Sequence, residues 1–297
     1  MQARGSAISA PAALKGATRV WVSLALLAAA ILATVPVYGG LPSRGLTVAH
    51  RFGLTLLWGV LALASAKIGR LKPARPAFMA LFGVSLGFAL AFMAGGRPVE
   101  WLGLSISTPQ GAAADKLLSE ALPVCAAILL ATALARRGLD SLGLRHGRVW
   151  LSLALGLLAT APVLALFVAD PSGSSRAVLE VPAATLRSWM PWVVLFSIAN
   201  GFMEELWFRG AWFGSFEEVL GSSAAMHVTS VAFCIVHVIV YWREPTAIAM
   251  LTPVWLYMGY AYAGIVRKTG SLAGPVLAHA IADVMFLLIT FSGGKAL

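Results

Sequence analysis

Long apolar runs separated by short polar connections dominate this chain. A helix needs about 20 apolar residues to cross roughly 30 Å of hydrocarbon. Nine stretches approach that length: 21–41, 52–69, 76–94, 117–135, 149–169, 188–212, 224–242, 247–266 and 272–292. The stretch 52–69 is the shortest, so the pattern predicts an all-α, polytopic transmembrane helical bundle of eight or nine spans. The first run is longer than the apolar core of a secretory signal, about 7–15 residues, and reads as a retained span. The connections 95–116 and 170–187 are longer than the others and carry Pro, Gly and Ser. No internal repeat is visible.

Composition sharpens this picture. Hydrophobic residues make up 59% of the chain and charged residues 11%, against roughly 25% charged in soluble domains. The mean hydropathy is +0.85. The net charge of +10 does not point to nucleic acid, because the basic residues fall mainly in short loops, where they set topology. With the N-terminus in the cytoplasm, the inner segments hold Arg4, Lys15, Arg19, Lys67, Arg70, Lys72, Arg75, Arg136, Arg137, Arg145, Arg148, Arg267 and Lys268. The outer segments hold fewer: Arg44, Arg51, Arg97, Lys116, Arg176, Arg187, Arg243 and Lys295. The asymmetry favours a cytoplasmic N-terminus. The Ala-rich composition suggests a bacterial chain, hence a multi-pass protein of the inner (cytoplasmic) membrane. Cys125 and Cys234 sit in apolar stretches and read as buried small hydrophobes, with no disulfide framework or zinc-knuckle spacing. Trp101, Trp189, Trp192 and Trp242 lie near span ends, as interfacial aromatics do.

Ionisable groups inside a bilayer are costly, about 2.5–3.5 kcal/mol each on insertion scales, and mark functional sites. They concentrate in the last four spans: Glu204, Glu205, Arg209, His227, His237, His279 and Asp283, with Glu120 near a span end in the first half. Spacing organises them. Glu205 and Arg209 are i, i+4 and can pair. Asn200, Glu204 and Phe208 form the adjacent stripe; Phe233 and His237 share a face of the next span, and His279 and Asp283 a face of the last. At about 1.5 Å per residue, these stripes reach similar depths and are placed to meet. A buried carboxylate beside two imidazoles suits a general base that deprotonates water. The same Glu/His/His/Asp set also suits a divalent metal such as Zn2+. Either route gives an activated water that attacks a carbonyl. No G-x-S-x-G or H-E-x-x-H motif is present. His227 lies off the face of His237 and reads as interfacial. Phe233 reads as packing, and Glu217 and Glu218 as solvated loop charge.

Glu204-Glu205-Leu-Trp-Phe-Arg209, Phe233-Cys-Ile-Val-His237 and His279-Ala-Ile-Ala-Asp283 resemble, in order and spacing, the EExxxR, FxxxH and HxxxN/D motifs of the CPBP family. That family comprises the CAAX prenyl endopeptidases and the bacterial Abi proteins linked to bacteriocin processing or self-immunity. The approach GSLAGPVLAHAIAD is also similar. The resemblance covers about 188–292, which divides the chain into N-terminal spans over 1–187, of unassigned role, and a catalytic core over 188–297. It implies an intramembrane endopeptidase, its active site among the last four spans. It would cut a peptide bond near the C-terminus of a membrane-associated protein or peptide. By position, Glu204 is the water-activating base and His237 its partner. His279 and Asp283 form the third-motif pair, for metal or oxyanion. Glu205 is either catalytic or, with Arg209, a structural ion pair. The metal set would be Glu204, His237, His279 and Asp283. Asparagine is common where this chain has Asp283, and an ionised aspartate cannot donate a hydrogen bond. That shifts Asp283 toward ligating a metal or orienting His279.

Two other functions fit an intramembrane charge cluster. A proton-coupled transporter would use Glu, Asp and His as a relay, but transporters usually show repeats. A non-catalytic immunity or scaffold protein could share the same fold.

Overall fold

The computed structural model describes residues 16–38, 41–144, 147–169, 174–241 and 243–293. Arg4, Lys15, Arg145, Trp242 and Lys295 lie outside the described residues. All regular structure among the described residues is helical, apart from one isolated bridge between Leu144 and Ser271. Among the described residues nine long helices follow in order: α1 (Gly16–Tyr38), α2 (Arg44–Lys67), α3 (Arg75–Ala94), α4 (Pro109–Leu134), α5 (Val149–Ala169), α6 (Ala183–Glu205), α7 (Ser222–Val240), α8 (Pro245–Thr269) and α9 (Ala273–Phe291). Among the described residues, eight regions are helical, long and apolar enough to cross a membrane, and the protein is an integral, multi-pass helical bundle. The long helix outside that set is α6, which carries Glu204 and Glu205.

Several boundaries differ from the sequence pattern, each for a local reason. The expected short span 52–69 is a full helix of 24 residues, starting at Arg44 behind an N-cap from Ser43. The pattern stops at Arg51 because that residue is charged. In the fold Arg51 is buried within α2, donates from Nη1 to the Phe88 carbonyl on α3 (2.9 Å) and lies over the Phe92 ring. The expected loop 95–116 holds a short helix, Arg97–Trp101, and the first turns of α4, capped by Thr108. Lys116 and Glu120 therefore lie within α4 and not at its edge. They pair across a π-helical stretch, Asp115–Ala121. In the expected loop 170–187, Ser174–Glu180 is helical and α6 begins at Ala183.

The largest difference follows α6. The chain passes without a break into a π-helical segment, Leu206–Phe213, then a further α-helical segment, Gly214–Leu220. Glu217 and Glu218 are thus helical, and Glu218 pairs with Arg137. The π-segment is wholly buried. Trp207 stacks on Phe208 (centroids 4.1 Å apart) and meets Phe88 edge-on (4.7 Å), while Phe208 meets Phe233 of α7 (5.1 Å). These contacts supply the close packing that holds helices together in lipid, where hydrophobic transfer contributes little.

Helices from both sides of residue 187 pack together. α2 lies on α3, α3 on α4, α7 on α1 and α8, and α9 on α5 and α6. Small residues set two of these approaches. Gly274, at the start of α9, lies so close to α5 that a Cβ there would collide with the Ser152 backbone. The Ser152 hydroxyl accepts from the Gly274 N–H (2.9 Å) and donates to the Ser271 carbonyl (3.1 Å), capping the start of α9. On α6, a Cβ at Gly201 would lie 3.2 Å from the Val276 carbonyl and 3.3 Å from the His279 Cβ. The absence of a side chain at Gly201 therefore sets how near α6 and α9 come. Gly274→Val should sharply lower folded yield and melting temperature in detergent, because overpacking costs about 1–3 kcal/mol or more. Wild-type melting would show that α9 does not need this approach.

Candidate active site

The three polar stripes come to one place. Glu204 and Glu205 lie at the end of α6, His237 in the last turns of α7, and His279 and Asp283 on α9. The run-on helix explains the meeting. Measured from Leu220, Glu204 lies roughly 24 Å up its rod, and His237 lies roughly 22 Å up α7, at about 1.5 Å per residue.

Two layers are distinct. The deeper one is fully enclosed. Arg209 Nη1 donates to Glu205 Oε1 (2.9 Å), and His279 Nδ1 contacts the same oxygen (2.8 Å). Arg209 Nη2 donates to the Met258 and Gly259 carbonyls of α8, and its guanidinium lies over the Phe233 ring (4.4 Å). One guanidinium thereby ties α6, α7 and α8, and one carboxylate ties α6 to α9. Glu205 is 0% exposed and does not line the cavity described below. The sequence pattern left Asp283 either as a metal ligand or as the group that orients His279. The structure gives that contact to Glu205, because Asp283 Oδ1 stands 3.8 Å from His279 Nε2, beyond hydrogen-bond range.

The second layer faces a cavity of about 280 Å³. His237 Nδ1 lies 2.8 Å from the Phe233 carbonyl, which can only accept, so Nδ1 carries the hydrogen. His279 Nδ1 likewise donates to Glu205, whose oxygen also accepts from Arg209. In their neutral forms both rings therefore present a bare Nε2 to the cavity. His237 Nε2 is 3.6 Å and His279 Nε2 3.9 Å from Glu204 Oε2. Glu204 Oε2 is buried and has no hydrogen-bond partner among the described residues. The group is an array of acceptors around one gap, which suits a molecule that donates, such as water. Asn200, one turn before Glu204, donates from Nδ2 to Asp283 Oδ2 (2.9 Å) and supplies a carboxamide beside the aspartate.

The donor types also suit zinc. Their placement does not: among the described residues, no three His, Cys, Asp or Glu side chains are grouped to hold a metal ion.

Other residues lie elsewhere. His227 is exposed and meets the Tyr260 hydroxyl (2.9 Å). Cys125 and Cys234 are free. Trp101 is exposed, and Trp189 lies against Phe291. Lys116 also lines the cavity, though the sequence pattern placed it among loop charges. Its i, i+4 spacing from Glu120, at the head of an apolar run, is the signal that could have found it.

The family model described as type II CAAX prenyl endopeptidase Rce1-like matches residues 186–285, which contain all three motifs. No curated protein and no solved structure matches the chain.

The enclosed pair makes a prediction. Breaking one member of a buried ion pair costs about 3–5 kcal/mol, whereas replacing both with apolar groups is far milder. Arg209→Met should therefore greatly reduce folded protein, and Arg209→Met with Glu205→Leu should recover part of it. Equal yields of the two variants would show that the charges are not coupled in folding.

Proposed function

We propose that this protein, whose residues 186–285 match the type II CAAX prenyl endopeptidase Rce1-like family model, is an intramembrane endopeptidase with Glu204 as its water-activating base. It would cut near the C-terminus of a membrane-associated protein or peptide. The observation that carries this reading is the orphaned Glu204 Oε2, faced by two imidazole Nε2 atoms at the edge of a largely apolar cavity.

In this mechanism a water donates one hydrogen to Glu204 and its second to His237 Nε2. Glu204 takes the proton as the water oxygen attacks the scissile carbonyl. The proton then passes from the Glu204 carboxyl to the leaving amine as the C–N bond breaks. The developing oxyanion needs donors aimed at it. Asn200 supplies a neutral one: its Nδ2 carries two hydrogens and Asp283 occupies one. In this chain the carboxamide donor is thereby assigned to α6, and the aspartate of the third motif holds it in place. Glu205 fixes His279 so that its Nε2 faces the site.

The test is turnover of a fluorogenic peptide by purified protein. Glu204→Gln keeps shape and removes the base, so turnover should fall at least about a hundredfold. Asn200→Ala should lower kcat by about 10²–10³, as loss of one oxyanion donor does. A Glu204→Gln variant that keeps more than a tenth of wild-type turnover overturns the assignment of the base.

We also propose a cytoplasmic N-terminus in the inner membrane of a bacterium. Arg51 and Lys116 lie inside helices, not in outer loops. Their removal from the outer tally strengthens the basic asymmetry. With Cys125 and Cys234 replaced by alanine, Asp140→Cys should resist an impermeant thiol reagent in intact cells. Rapid labelling there would reverse the topology.

A further inference from the structure

Lys116 is an unexpected neighbour for this site. Its side chain is 12% exposed, and it lines the same cavity as Glu204, His237, His279 and Asp283. Glu120, one turn on, takes one of its hydrogen bonds, and an ammonium has three to give. Its ammonium lies 5.3 Å from the centre of the Phe196 ring and interacts electrostatically with Glu204 and Asp283. Arg209, the other cation nearby, is committed to Glu205 and does not line the cavity. Among the described residues, Lys116 is thus the one lysine or arginine on the cavity wall, and it is on a π-helical stretch, a distortion frequent at functional sites.

Its position along the cavity indicates what it would meet. Phe196, Asn200 and Glu204 form one i, i+4, i+8 stripe on α6, and all three line the cavity. Lys116 sits at the Phe196 end. Two helical turns separate that level from Glu204, roughly 12 Å along the axis. An oxyanion forms about 3 Å from its donors, beside Glu204 and Asn200, so its place is at the other end of the stripe. An extended peptide spans at most about 3.3–3.6 Å per residue. A chain cut beside Glu204 therefore brings the group three or four residues further on to Lys116. The walls between are apolar, among them Val163, Phe167 and Leu251, and suit uncharged side chains. The one charge that a short apolar C-terminal segment must carry is its terminal carboxylate. Without a cation, that carboxylate would enter a space already facing Glu204 and Asp283.

We propose that Lys116 forms a subsite for the free C-terminal carboxylate of the substrate, and so selects chain ends over internal segments. The proposal rests on the proteolytic reading of the cavity and names the substrate feature read there. A charge-assisted contact of this kind is about twice as strong as a neutral one. Glu120 competes for the same ammonium and keeps it in place between substrates.

The experiment uses one fluorogenic peptide ending in three apolar residues, made as the free acid and as the C-terminal amide. Wild-type protein should cleave the acid about tenfold or more better in kcat/KM. Lys116→Gln should bring the acid-to-amide ratio to about one, mainly by loss on the acid, and Lys116→Arg should keep part of it. Glu120→Gln, which removes the competing carboxylate, should maintain or raise the ratio. Binding of both peptides to Glu204→Gln is measured in parallel and should show the same preference without turnover. Absence of cleavage with this preference intact would count against the protease reading and not against the subsite. No preference in wild type, or equal losses on acid and amide in Lys116→Gln, would overturn the subsite.

Discussion

One buried carboxylate holds this site together. Glu205 accepts from Arg209 and from His279 on the same oxygen, with no exposure to solvent. An isolated carboxylate in such a place would cost several kcal/mol. It is tolerated because the guanidinium neutralises it, and because that guanidinium is itself satisfied by two carbonyls of α8 and the face of Phe233. Four helices are thereby tied at one depth in lipid, where every unmatched polar group would be expensive. The hydrogen bond to His279 then converts this brace into an orienting device, since it leaves one ring nitrogen for the cavity. The neighbouring residue, Glu204, lines the cavity that Glu205 does not, and its Oε2 lacks a hydrogen-bond partner among the described residues. Two adjacent residues thus take opposite parts: one closes the structure, the other is open to chemistry.

The earlier helices bear on this site as well. α3 brings Phe88 against Trp207, and its Phe88 carbonyl holds Arg51. α5 caps the start of α9 through Ser152. α4 brings Lys116 to the cavity wall. These contacts back, orient and line the cavity, and they come from segments without any of the three motifs.

Much of this was legible in the sequence. Helical class and approximate span positions follow from apolar runs, because lipid admits few other solutions. The clustering of Glu204, His237, His279 and Asp283 follows from i, i+4 spacing on three spans. What was not legible came from charges whose partners hydropathy does not count and from contacts distant in sequence. Arg51 and Lys116 looked like loop charges because hydropathy counts a charge without its partner, and those partners are the Phe88 carbonyl and the Glu120 carboxylate. The extension of α6 to Leu220 was hidden by Glu217 and Glu218. The Glu205–His279 contact joins residues 74 apart in the chain, which no local spacing reveals.

The division between the two adjacent glutamates is the centre of this account. It is tested most directly by thermal unfolding of Glu204→Gln and Glu205→Gln side by side, in the same detergent. Removing a charge whose Oε2 has no hydrogen-bond partner among the described residues should leave Glu204→Gln melting at or above wild type. Removing the charge that Arg209 and His279 share should leave Glu205→Gln melting well below it. Equal melting of the two variants, or the reverse order, would contradict the assignment of Glu205 as the brace and Glu204 as the reacting carboxylate.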